Sequence, residues 1–211
     1  MHRYFIKTPW IAKRFFSSYV WDLPADGNAV YLTFDDGPHP VITPWVLDTL
    51  KQYGAEATFF CIGNNVQRFP AVYKRILDEG HAVGNHSFHH LNGWKTSGQA
   101  YMDDISKAAE VIDSNLFRPP YGRIRQAQAR KVAAAMGHAD AKIIMWDVLS
   151  ADFDRAFTAE ECFSNVVDHT VAGSIIVFHD SEKAFGKLRE VLPGVLKELT
   201  GAGFHFKKIK I

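Results

Sequence analysis

The chain has 211 residues, 47% hydrophobic and 22% charged, the balance of one generous globular domain or two small ones, which excludes disordered, collagen-like and coiled-coil classes. Its 24 Lys and Arg stand against 23 Asp and Glu, a formal net charge of +1, so the basic stripe of a nucleic-acid binder is missing and no nucleic-acid partner is expected. Two cysteines, Cys61 and Cys162, make neither a disulfide framework nor a cysteine-built zinc site, a usage that fits a reducing compartment.

Residues 1–28 read as an N-terminal arm that docks on the domain. Lys7, Lys13 and Arg14 interrupt its apolar residues before any small-residue cleavage site, so no secretory signal is read and a cytoplasmic location is expected. The same Phe, Trp and Ile side chains among Lys and Arg also suit peripheral contact with an anionic membrane surface. No window approaches the roughly 18 to 20 uninterrupted apolar residues of a membrane span.

From residue 29 onward, short apolar, β-branched or aromatic runs alternate with stretches of helical period. Strands are predicted at 29–34, 57–62, 81–84, 115–117, 142–146, 174–178 and 205–209. Helices are predicted between them at 43–53, 71–79, 99–113, 125–136, 159–169 and 187–200. Thr43-Pro44 and Thr158 are start signals, and Gly54, Gly80, Gly137 and Gly201 follow helical runs where a left-handed residue ends a helix. This alternation implies βα units and a mostly parallel sheet, so residues 29–211 are expected to form one α/β domain, a distorted (β/α)7-8 barrel closed or nearly closed. A full eightfold barrel takes about 250 residues, so a reduced one is expected. The stretch 87–98, with no clear element but with His, Asn, Gly and Trp, reads as a working loop.

The ionisable residues that stand out fall at the C-terminal ends of predicted strands: Asp35 and Asp36, His86 and His90, Arg118, Asp147 and Asp152, His179 and Asp180. In a parallel α/β sheet or barrel those ends converge on one face, where sites are built. One Asp and two neutral imidazoles leave a fourth position open on a divalent ion, zinc being the first choice. The four-residue spacing of His86 and His90 suggests one side of a helical turn, with His89 directed elsewhere. Adjacent carboxylates leave a strand on different sides and repel when both ionise, so one of Asp35 and Asp36 is expected to bind metal and the other to handle protons. The blander readings stay open: a solvated Asp-Asp-Gly turn, an incidental His pair, and an Arg118 that only marks the rigid turn before Pro119-Pro120. Trp45 and Trp94 are weighed as a sugar platform against core packing, and Cys61 is read as a small buried hydrophobe.

Five segments in order carry a resemblance: Thr33-Phe-Asp-Asp-Gly-Pro38, His86-Ser-Phe-His-His90, Arg118-Pro-Pro-Tyr121, Trp146-Asp147 with Asp152-Phe153, and Val177-Phe-His179-Asp180. Together they resemble the motifs of the polysaccharide deacetylases, the NodB-homology group or carbohydrate esterase family 4, over about residues 30–180. The resemblance implies that family's distorted barrel, with Asp36, His86 and His90 as ligands of one divalent ion, zinc or another such as cobalt. It also implies Asp35 as general base, Arg118 as its orienting partner, His179 as general acid and the Tyr121 backbone N–H in the oxyanion hole. Asp152 is expected beside His179 or beside Arg118.

The activity so implied is metal-dependent removal of N-acetyl groups from sugars of a glycan, oligosaccharide or sugar conjugate, with carbohydrate as partner. Alternatives are an O-acetyl esterase on acetylated polysaccharide and a catalytically silent carbohydrate-binding protein, the latter disfavoured because Asp35, Asp36, His86, His90 and His179 are all present. A phosphate-ester hydrolase would want two metals and more bridging carboxylates. Phe153 and Val177 stand where Trp and Leu are common in the family, which puts substrate identity in question more than reaction type.

Overall fold

The computed structural model describes residues 4–211. Met1, His2 and Arg3, the start of the expected arm, lie outside the described residues. In chain order the elements are α1 (Trp10–Phe15), β1 (Ala29–Asp35), α2 (Ile42–Gln52), β2 (Ala57–Cys61), α3 (Gly63–Arg68), α4 (Pro70–Asp78), β3 (Ala82–Asn85) and α5 (Gly98–Ala109). Next come β4 (Leu116–Phe117), α6 (Gln126–Ala129), α7 (Val132–Met136), β5 (Lys142–Ile143), β6 (Val148–Leu149), α8 (Ala159–Val167), β7 (Ile175–His179), α9 (Glu182–Gly201) and β8 (His205–Phe206). No helix among the described residues is long and apolar enough to cross a membrane.

The strands form one parallel sheet in the order β5-β4-β3-β2-β1-β7-β6, with β8 pairing the start of β1. The sheet curls into a distorted barrel with helices outside, the expected class. All seven residues of β1 are buried because both faces of the strand are covered. Val30, Leu32 and Phe34 pack outward beneath α2, α8 and α9, where Phe34 stacks on Phe59 and Phe178 with ring centroids 5.1 and 6.0 Å apart. Tyr31, Thr33 and Asp35, the alternate set, take the opposite face, so the period of two that builds the core also aims one carboxylate inward.

The structure corrects several predicted elements. Residues 142–146 are not one strand: β5 pairs β4 at one end of the sheet, while β6 pairs β7 at the other. Between them the sheet is open, and residues of the N-terminal segment bridge the gap. Val20 N–H donates to Ile143 O (2.9 Å) and Val20 O accepts from Met145 N–H (2.7 Å), while Thr8 N–H donates to Asp147 O (2.8 Å) and Ile6 O accepts from Leu149 N–H (2.8 Å). The predicted helix 125–136 divides into α6 and α7, and the predicted 187–200 lengthens to α9, which absorbs Pro193 and Gly201 and leaves Gly203 as the left-handed residue after it. Gly54, Gly80 and Gly137 do take positive φ after their helices. Strand 205–209 shortens to β8, since only Ala29 and Val30 offer it partners.

Asp147 also departs from expectation. It is absent from the rim and lies in the seam, 1% exposed, accepting from Lys7 Nζ (2.5 Å), Lys13 Nζ (2.6 Å) and Ser174 Oγ (2.6 Å). Burial opposes its charge, yet these hydrogen bonds hold its carboxyl below the usual carboxylate range. Close by, Gly173 sits at φ +88° with the Leu23 carbonyl 2.1 Å from where a Cβ would be, so only glycine lets the N-terminal segment pass.

Candidate active site

Asp36 follows β1 with φ 80°, a left-handed turn that directs it away from its neighbour. Asp180, after β7, fastens this turn: its carboxylate accepts from Gly37 N–H (3.0 Å) and Thr43 Oγ1–H, while its own N–H donates to Asp35 O (3.1 Å). A Cβ on Gly37 would lie 2.1 Å from that carboxylate. Asn65 Nδ2 donates to Asp36 O (2.8 Å) from the other side. Burial raises Asp180 to about 7 against the hydrogen bonds it accepts.

His86 and His90 meet Asp36 here, although not on a helical turn. Residues 86–90 form a loop with Ser87 at φ 60° and His90 at φ 58°. The loop is held by Asp104 of α5, whose carboxylate accepts from the N–H groups of Phe88 and His89 (both 3.0 Å) and pairs with His89 Nδ1 (2.5 Å). His89 is thus turned elsewhere, as expected. Asp104 was missed in the sequence, yet it shares the inward face of α5 with Tyr101, Ile105 and Ala108, and an acid on an apolar helical face is a readable signal.

Asp36 Oδ1 lies 3.2 Å from His90 Nε2 and 3.8 Å from His86 Nε2, and the three ligand atoms fall within 4.8 Å of one another. The edge of a tetrahedron with bonds of about 2.0–2.1 Å is about 3.3 Å, so the triad fits a small divalent ion. Protonation agrees. Burial lowers His86 to about 4, keeping the ring neutral, and its Nδ1 contacts Arg118 O (2.7 Å), which leaves Nε2 as the ligand atom. Burial alone would raise Asp36, but a hydrogen bond from His90 and the charges of His179, His90 and His86 hold it well below the usual range.

Asp35 turns to Arg118, which is fully buried and donates from Nη1 to Asp35 Oδ1 and Thr33 Oγ1 (both 2.7 Å). Nη2 and Nε of the same guanidinium donate to Met145 O (2.9 Å) and Ile144 O (3.2 Å), and its plane covers Phe60 at 4.0 Å. Four of its five N–H donors are engaged inside the protein, so Arg118 is no surface residue at a turn. Asp152, expected beside His179 or Arg118, grips His179 twice: Oδ1 pairs with Nδ1 (2.8 Å) and Oδ2 accepts the backbone N–H (2.9 Å). Burial would lower His179, but the Asp152 charge and hydrogen bond, with Asp36 and Asp35, raise it to about 9. Tyr121 takes φ 60°, its ring 4.6 Å from His90, and its N–H has no hydrogen-bond partner among the described residues.

Asp35, Asp36, His86, His90, Tyr121 and His179 line one cleft of about 940 Å³ with Tyr4, Trp94, Trp146, Phe153 and Val177, whereas the buried Arg118 and Asp152 act on it through Asp35 and His179. Trp94 is 54% exposed within it, whereas Trp45 packs edge-on against Phe185 (5.6 Å) at the core and lies outside the cleft. Cys61 is fully buried, as expected of a small hydrophobe.

A sequence profile described as polysaccharide deacetylase matches residues 22–141. The chain belongs to the polysaccharide deacetylase family. It is 37% identical over 192 residues to a peptidoglycan-N-acetylglucosamine deacetylase of Bacillus cereus, covering 88% of each chain. It is 32% identical over 160 residues to a chitooligosaccharide deacetylase of Azorhizobium caulinodans, covering 72% of this chain and 74% of that one. In three dimensions it superposes on the crystal structure of the Bc1960 peptidoglycan N-acetylglucosamine deacetylase with a TM-score of 0.84 at 31% identity, covering 96% and 95% of the two chains. The polysaccharide deacetylase fold therefore extends across nearly the whole chain, well beyond the profile match.

Proposed function

We propose that this polysaccharide deacetylase is a zinc-dependent hydrolase that removes N-acetyl groups from N-acetylglucosamine units of a glycan. The observation that carries this reading is the convergence on one cleft of Asp36, His86 and His90 with Asp35 and His179, each of the latter two held by a buried partner, Arg118 or Asp152. The named activities of the relatives support N-deacetylation specifically.

Asp36, His86 and His90 would hold the ion, which when bound polarises the amide carbonyl and lowers the pKa of water. Asp35, fixed at Oδ1 by Arg118, accepts the proton of the attacking water. Tyr121 N–H, unengaged at the cleft wall, stabilises the oxyanion, where a single donor contributes about 3 kcal/mol in other enzymes. His179, held protonated by Asp152, passes its proton to the leaving amine, which is otherwise a poor leaving group. The two pairs divide the roles: Arg118 orients Asp35 toward the attacking water, and Asp152 keeps His179 charged for the leaving amine.

The test is acetate release from N-acetylglucosamine oligomers, peptidoglycan fragments and O-acetylated xylan by metal-stripped protein with zinc or cobalt restored. Release from the N-acetylated substrates only when metal is restored supports the reading. Release from xylan alone makes the protein an esterase, and a metal-loaded protein silent on all three returns it to a binding role.

A further inference from the structure

Among the described residues α1 is the one helix that buries none of its side chains, and its amphipathic order is reversed. At 3.6 residues per turn Trp10, Ile11, Arg14 and Phe15 share an arc of about 140°, with Ala12 and Lys13 opposite. A helix on a soluble surface turns its apolar stripe to the core and its charge to water. Here the lysine faces the protein, with Lys13 Nζ 2.6 Å from Asp147 Oδ1 and 2.5 Å from Asp22 Oδ2. The aromatics face out: Phe15 is 80% and Trp10 71% exposed, and Ile11 is half exposed.

This exposure is built into the fold. Thr8 N–H before the helix donates to Asp147 O, and Val20 N–H after it donates to Ile143 O, so the segment is fastened to the barrel at both ends. Phe16, half exposed, extends the patch and is itself seated, its ring stacked on Tyr19 at 5.9 Å and its carbonyl accepting from Trp21 Nε1 (3.0 Å). Trp10, Ile11, Phe15 and Phe16 together leave on the order of 500 Å² of side chain open, as large as the biggest patches on monomers, which are often functional.

Charge decides the occupant. No acid precedes Asp22 in the chain, and Asp22 is answered by Lys13. Arg14 stands exposed within the aromatic row and makes no ion pair among the described residues. Residues 14–18 are exposed without a break, so the patch projects from the barrel and forms no groove. A projecting aromatic tip with an unpaired cation matches the interface of an anionic bilayer, where Trp and Phe insert at the level of the headgroups and Arg meets their phosphates.

We infer that α1 and Phe16 dock the protein on an anionic lipid surface. The arm then has two sides, a polar one that closes the barrel and an apolar one that meets lipid. Tyr4, which lines the cleft, lies six residues before Trp10, so the chain between them spans at most about 20 Å and docking holds the cleft close to the bilayer.

The test is co-sedimentation of the protein with vesicles of phosphatidylcholine alone and of phosphatidylcholine mixed with phosphatidylglycerol, together with light scattering of the protein without vesicles. Binding is expected to be about fivefold tighter on the anionic vesicles, the contribution of one cation at the surface, and to weaken as salt rises. Trp10→Ser/Phe15→Ser should lower binding by more than about tenfold with Tm unchanged, since both side chains are exposed in the free protein. Arg14→Gln should bring the two kinds of vesicle to nearly equal binding, and Arg14→Lys should keep the preference. No binding to either vesicle, or unchanged binding by the folded double variant, overturns the inference. Equal wild-type binding to both vesicles overturns the anionic assignment. A concentration-dependent dimer that the double variant abolishes, without vesicle binding, gives the patch to a second copy of the chain and overturns the inference as well.

Discussion

Both the rim of the barrel and its seam bury an aspartate against cations, and the difference between them separates a working carboxylate from a structural one. At the seam Asp147 accepts from two lysines and a serine hydroxyl, so most of the acceptor positions of an ionised carboxylate are filled. At the rim Asp35 has one charged partner, Arg118 at Oδ1, and otherwise borders the cleft. The carboxylate meant to take a proton keeps acceptor capacity in reserve, and its cation is held by backbone carbonyls of Ile144 and Met145. The one that closes the barrel has most of that capacity filled. Its cations come from the N-terminal segment, so the ion cluster is also the clasp.

Substitutions can break each side of this contrast separately. The largest effect is expected at the rim from His86→Ala, which removes a ligand whose other nitrogen is already anchored to Arg118 O. Since losing even a supporting partner of a ligand costs about 10–100-fold in affinity or activity, losing the ligand should cost more than about 100-fold in both. Metal content after dialysis checks this, and stoichiometric zinc in the variant refutes the ligand set. Asp35→Asn should keep the metal while lowering turnover by about 10²- to 10⁴-fold. Near-wild-type acetate release would show that the proton goes elsewhere.

The mirror experiment at the seam is Lys7→Met/Lys13→Met, which strands Asp147 as a buried charge. Breaking a buried pair from one side costs about 3–5 kcal/mol, and the lower end is expected because the two lysine side chains are 34% and 23% exposed. A drop in Tm with kcat preserved below it is the predicted signature. Because the hydrogen bonds hold the Asp147 pKa below its unfolded value, this stabilisation is complete above about pH 4 and is lost as pH falls through the folded value. The double variant should therefore lose part of the acid dependence of stability, which urea titrations at pH 7 and pH 3 measure. A parallel loss of turnover at low temperature would mean that seam and rim are not separable.

The smallest effect is a shift in profile. His179 raised to about 9 stays protonated to higher pH than a free histidine, so turnover falls as pH rises through that value, and a bound divalent cation pulls the limb lower. Asp152→Asn removes the strongest influence that raises it, and the alkaline limb of kcat/KM should move to lower pH. A limb that stays in place would assign it to another group.

Much of the rim was legible in the chain because parallel βα topology turns strand ends into neighbours: residues as distant as Asp36 and His179 needed only correct strand assignment to be brought together. Asp104 shows what such reading misses, and Asp180, placed on the rim, shows a residue whose role it leaves unread. They bond to backbone N–H groups of the loops that carry the ligands, and no spacing rule distinguishes an acid that holds a loop from one on a solvated surface. The His86–His90 loop illustrates the same gap. Four-residue spacing suggested a helical turn, whereas two left-handed residues and Asp104 produce the convergence instead.

By itself the sequence determined the α/β class, the parallel order of βα units, the different settings of Asp35 and Asp36 and most of the groups on the rim, because periodicity and strand-end position are local properties of the chain. Only the tertiary structure decided that the predicted strand 142–146 shortens to β5 while a separate β6 forms at the opposite edge of the sheet, and that Asp147 serves the seam. Those outcomes depend on which distant segments satisfy exposed backbone edges and buried charge, a competition settled by packing across the whole molecule.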